Sequence, residues 1–96
     1  MKSFKSIIKF LKGYTAYSEP LEKQFDFKEY QDSIYVFPLD TNIKNYSVVK
    51  RNNVNKEIEG GFLLEHKNEN GRVDRFEFKS LKHIAEEIAA YYRNNE

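Results

Sequence analysis

The sequence predicts an α+β domain, a mostly antiparallel four- or five-stranded meander with an N-terminal and a C-terminal helix packed on one face. Three observations carry this. Apolar residues recur at helical spacing at the two ends of the chain. The segments between are short and rich in β-branched and aromatic residues. No stretch between two strands has the length and pattern of a crossover helix, so neighbouring strands pair antiparallel. One domain accounts for residues 1–96.

The first helix spans residues 3 to about 13. Phe4, Ile7, Ile8 and Leu11 fall on one face, with Phe10 and Tyr14 at its edge, and Gly13 stops it. In "SEPLEKQFDFKEYQD" the Ser18-Glu19-Pro20 run starts a turn, and Phe25 and Phe27 alternate with polar residues as in a strand near 23–29. "SIYVFPLD" is a strand over 33–38, ended by Pro38, and "NYSVVKR" is another over 45–51. Asn70-Gly71 marks a hairpin between strands near 61–67 and 72–78. Ser80 caps a final helix from Leu81 to about Arg93, whose apolar stripe is Leu81, Ile84, Ala85, Ile88 and Tyr92.

Composition bounds the chemistry. Without cysteine there are no disulfides, thiolate zinc sites or cysteine nucleophiles. No apolar run approaches the roughly 20 residues of a membrane span, and Lys9 interrupts "IIKFL" before it can act as a signal, so a cytoplasmic location without membrane contact is expected. Sixteen basic against fifteen acidic residues leave a net charge of +1, so any electrostatic function must be local. The wealth of Lys, Asn, Ile, Phe and Tyr, all with AT-rich codons, points to a low-GC bacterium, a phage or another mobile element.

Four lysines precede any acid. Lys2, Lys5, Lys9 and Lys12 share an arc of about 80° opposite the apolar face of the first helix. The plain reading makes them a solvated exterior; the functional one turns them toward an acidic protein patch, a phosphate backbone or an anionic membrane surface. "KRNNVNKE" places Lys50, Arg51 and Lys56 among asparagines in a loop over 50–56 that suits phosphate or base contacts. Tyr14, Tyr17 and Tyr91 are the tyrosines expected at a partly exposed rim, where apolar area with a polar tip favours protein contact.

Phe76 and Phe78 invite comparison with the stacking strand of RNA-recognition modules, but the glycines of that motif are absent and Glu77 stands between the rings. His66, His83, Glu86 and Glu87 are the nearest thing to a metal grouping and lack a recognised ligand spacing. No phosphate loop, nucleophile elbow or acid–base pair is legible, so neither catalysis nor a cofactor or metal is expected. The leading expectation is a non-enzymatic protein-binding domain, an inhibitor, immunity protein or phage anti-defence factor that occludes another protein. The alternative is a nucleic-acid-binding module using the lysine stripe and the 50–56 loop.

Overall fold

The computed structural model describes residues 4–51, 61–78 and 80–94. Helix α1 (Phe4–Gly13) is followed by two short strands, β1 (Thr15–Ala16) and β2 (Glu19–Pro20), and one 3₁₀ turn (Leu21–Lys23). Five strands come next: β3 (Phe25–Tyr30), β4 (Ser33–Pro38), β5 (Tyr46–Arg51), β6 (Phe62–Lys67) and β7 (Val73–Phe78). Helix α2 (Leu81–Asn94) completes the described chain. The expected α+β architecture stands: β3 to β7 form one antiparallel sheet in sequence order.

Alternation along the strands builds the core. Phe25 and Phe27 of β3, Ile34 and Val36 of β4, Val49 of β5, and Phe62 and Leu64 of β6 face the helices. Against them lie Ile7 and Leu11 of α1 and Leu81, Ile84 and Ile88 of α2. On α1 the fully buried line is Ile7 and Leu11, one turn apart, whereas Ile8 is only half-buried at its flank. The two helices also touch each other, and the Tyr14 hydroxyl donates to Glu86 Oε1 at 3.2 Å. At the start of α2 the Ser80 hydroxyl oxygen accepts from the His83 amide at 3.3 Å, the cap the sequence predicts.

Two local features depart from expectation. Between α1 and β3 the sequence suggests a turn and then a strand from about residue 23. The structure inserts the β1–β2 ribbon and the 3₁₀ turn, and β3 begins at Phe25. Leu21 causes this detour, because the 3₁₀ turn drives its side chain wholly into the core. The β1–β2 turn has Tyr17 at φ +55° and Ser18 at φ +71°, left-handed positions usually filled by Asn or Gly, so the sequence gives no sign of it.

The β6–β7 hairpin is the second. Asn70 is not left-handed; a type I turn over 68–71 is closed by the Gly71 amide on the Asn68 carbonyl at 3.2 Å, and Gly71 then takes φ +84°. The Asn68 side-chain oxygen accepts from the amides of Asn70 and Arg72 and holds this geometry. A Cβ on Gly71 would meet nothing within 4 Å, so its cost is purely conformational. Gly71→Ala is expected to destabilise the domain by about 1 kcal/mol. A lower urea midpoint at unchanged slope would show it, and an unchanged midpoint would refute it.

Candidate functional site

Both long helices lie on one side of the sheet, and among the described residues no helix lies on the other side. Along β3, β4 and β5 this helix-free side carries Tyr30, Tyr35, Phe37 and Tyr46 by the same alternation that sends their neighbours inward. The four rings form one chain of contacts. Tyr30 meets Tyr35 edge-on at 6.3 Å, and Tyr35, Phe37 and Tyr46 stack with centroids 5.5 to 6.2 Å apart. Tyr30 is 63% exposed, and with Lys28, Tyr35 and Phe37 it lines a shallow hollow of about 300 Å³. Lys67 sits over the Tyr46 ring at 6.0 Å.

The middle of this face holds a buried carboxylate. Glu65 of β6 is 3% exposed yet stands on the helix-free side, beside the fully buried Val48. Lys50 reaches Glu65 Oε1 at 2.9 Å, and the Arg75 guanidinium binds Oε2 through Nε at 2.8 Å and Nη2 at 2.7 Å. Burial alone would raise the Glu65 pKa; Lys50 and Arg75 outweigh it and hold the carboxyl below the usual carboxylate range. With that acid submerged, the exposed charges at the centre of the face are cationic. Asp26 lies on edge strand β3 and Glu77 on edge strand β7.

Beneath the other face runs a buried polar chain. Ser47 Oγ lies 2.7 Å from His66 Nδ1 and 2.6 Å from the Tyr92 hydroxyl, and all three residues are nearly or fully buried. Glu87 Oε1 stands 3.7 Å from His66 Nε2, too far for a hydrogen bond but near enough to favour a proton there. With the proton on Nε2, Ser47 would donate to Nδ1 and Tyr92 to Ser47. Tyr91 stacks on the imidazole at 3.8 Å and accepts at its hydroxyl from Asn45 Nδ2 at 3.0 Å. Burial lowers the His66 pKa to about 4, with Asp74 partly opposing it, and burial raises that of Glu87. Serine, histidine and a carboxylate are the parts of a nucleophilic triad, but in this conformation Ser47 is wholly enclosed and its hydroxyl is committed to internal partners. The arrangement ties β5, β6 and α2 together.

No family model matches this chain, and no curated protein or solved structure matches it significantly. Its surfaces must therefore be read from their own chemistry.

The residues singled out from sequence are dispersed. Lys5 and Lys9 are exposed and Lys12 half-buried on α1, in the layer on the far side of the sheet from the ring cluster; Lys2 lies outside the described residues. Lys50 and Arg51 belong to strand β5 rather than to a loop, so alternation sends them to opposite faces, Lys50 to Glu65 and Arg51 to the helix side opposite Phe62. The rest of the 50–56 loop lies outside the described residues. Tyr14 and Tyr91 are half-buried against the core. Tyr17 is exposed, with the Arg93 guanidinium 4.0 Å above its ring, at the mouth of a cavity of about 360 Å³ that also meets Lys23, Gln24 and Tyr92. Phe76 and Phe78 face the helix side, and His83 is exposed on α2 while His66 is buried.

The lysine stripe and Lys50 thus do not share a surface. Sequence reading missed the ring cluster, although period-two alternation in "YVF" and "NYS" places Tyr35, Phe37 and Tyr46 on one side once the meander is drawn. It also missed Glu65, whose signal was a carboxylate inside the apolar run "FLLEH".

Proposed function

We propose that this chain is a non-enzymatic binding domain that acts by covering a surface of a partner protein with the helix-free face of its sheet. The observation that carries the reading is the chain of four contacting rings, Tyr30, Tyr35, Phe37 and Tyr46, on a face the core does not use. Contacting tyrosine and phenylalanine rings are the composition of interface centres, where a few aromatic anchors dominate affinity. Lys28, which also pairs with Asp26 at 3.7 Å, lines the hollow beside the rings and Lys67 sits over Tyr46, so a partner whose apolar contact is flanked by carboxylates suits the face. An inhibitor, immunity protein or phage anti-defence factor of the occluding kind works in this way, with no chemistry of its own.

The test is capture from host lysate on the immobilised full-length chain, with and without nuclease, compared with Tyr30→Ser and Lys28→Glu variants. Both side chains are exposed, so the fold should tolerate either change. A nuclease-resistant protein whose affinity falls about tenfold or more in Tyr30→Ser supports the reading. Equal capture by wild type and both variants removes the face from consideration. A second reading, single-stranded nucleic acid stacked on the same rings, draws on the cations beside them. It is distinguished by loss of the captured material on nuclease treatment and by a steep fall of affinity with salt.

A further inference from the structure

Strand β7 ends the sheet, and its outer edge has a pattern independent of the ring cluster. The Asn68 amide donates to the Arg72 carbonyl at 3.1 Å, which makes Asn68 and Arg72 a hydrogen-bonded pair. Pairs alternate from there down the antiparallel hairpin. Asp74, Phe76 and Phe78 therefore turn their amides and carbonyls toward β6, while Val73, Arg75 and Glu77 turn theirs outward. No described strand meets those outward groups. The same edge exposes two large apolar side chains, Val73 at 44% and Phe76 at 41%.

We propose that β7 pairs antiparallel with β7 of a second copy about a two-fold axis at Phe76, joining two five-stranded sheets into one. Such an axis requires opposing residues to share a face, so the register must centre on a residue. Centring on Asp74, Arg75 or Glu77 sets that charge against its own copy. Centring on Val73 or Phe78 runs the pairing off the strand, into the turn or into the cap of α2. Centring on Phe76 alone uses the middle of the strand and sets Arg75 opposite Glu77 of the second copy, twice. Arg75 and Glu77 are also outward-facing residues, so each opposed pair exchanges both backbone hydrogen bonds. The two Phe76 rings meet at a pair that is not hydrogen-bonded, where side chains come closest, on the helix side. Arg75 holds Glu65 through Nε and Nη2, which leaves Nη1 for the new carboxylate. One strand pair is a small interface, so the dimer is a weak, concentration-dependent one.

Sedimentation velocity on the full chain across a concentration series tests this, using wild type, Glu77→Arg and Glu77→Pro. Glu77→Arg opposes two like-charge pairs, and Glu77→Pro removes one outward amide without touching a bond to β6. Both leave the buried core intact, and circular dichroism on each checks the fold. A wild-type monomer–dimer equilibrium is expected, with association weakened about tenfold or more in either variant. A wild type that stays monomeric up to its solubility limit overturns the proposal. So do folded variants that associate as wild type does, or a dimer abolished by Tyr30→Ser, which would move self-association to the ring cluster and leave β7 out of it.

Discussion

Leu11→Asp is expected to leave the chain unfolded at room temperature. Leu11 is fully buried and faces the sheet at the centre of the core. No described cation neighbours it in the core cluster, so a carboxylate there either stays charged in apolar surroundings or takes up a proton at a cost of several kcal/mol. A domain of this size has about 5 to 10 kcal/mol of stability in total, and loss of the leucine's packing adds roughly 2 to 5 kcal/mol to the penalty. The contrast with Ile8→Asp is informative. The first-helix pattern placed Ile8 on the apolar face, but in the structure it is half-buried and its carboxylate could reach water, so the loss should be clearly smaller. Circular dichroism and urea melts of the two variants decide the matter. A folded Leu11→Asp protein of normal stability would mean that α1 is rotated from the position described.

The second large effect is acid sensitivity between pH 6.5 and about 4. His66 is neutral in the fold because burial lowers its pKa to about 4, whereas in the unfolded chain it returns to 6.5. Within that window the unfolded state binds the proton and the folded state does not, so stability rises with pH and is lost as pH falls. The full span is worth about 3 kcal/mol. The groups packed around the ring are Ser47 from β5, Asp74 and Phe76 from β7, and Glu87, Tyr91 and Tyr92 from α2. Glu87, whose pKa is raised, works in the opposite sense: its contribution is present below the ordinary carboxylate pKa and lost as pH rises through the folded value. Glu65, whose pKa is lowered, adds to the acid loss once pH falls below the ordinary value. Urea midpoints measured against pH should therefore slope upward from 4 to 6.5 in wild type and much less in His66→Phe. Equal slopes would show that another group carries the acid transition.

How far the sequence reaches can be judged from particular elements. The strands at 33–38, 46–51, 62–67 and 73–78 and both long helices fall within a residue or so of their expected bounds, because the helices carry apolar stripes, 33–38 and 46–51 are β-branched and aromatic runs, and Asn70-Gly71 marks the hairpin between the last two strands. The β1–β2 ribbon was not legible, since its left-handed turn uses Tyr17 and Ser18 and its strands have two residues each. The lysine stripe was legible as a face, yet whether it shares a surface with Lys50 depends on tertiary placement, and it does not. The polar chain of Ser47, His66 and Tyr92 joins residues 19 and 45 positions apart, a pairing that single-segment patterns do not contain. The ring cluster lies between: its facing follows from alternation, but its continuity requires the β3–β4–β5 register.

The meander has a consequence for how the chain assembles. Every strand of the main sheet pairs with its neighbour in sequence, and the β3–β4 and β6–β7 connections are short, so those hairpins close early and at small entropic cost. The lid on the sheet is different. Ile84 and Ile88 reach the core from the last described element, and α1 has to find α2 across the whole intervening sheet. Until α2 is made, the apolar side of a nearly complete sheet has half its cover missing. Docking of the C-terminal helix is thus the step that closes the core, and a released chain truncated after residue 80 should present Ile34, Val36, Val49 and Leu64 to the solvent as a sticky plane.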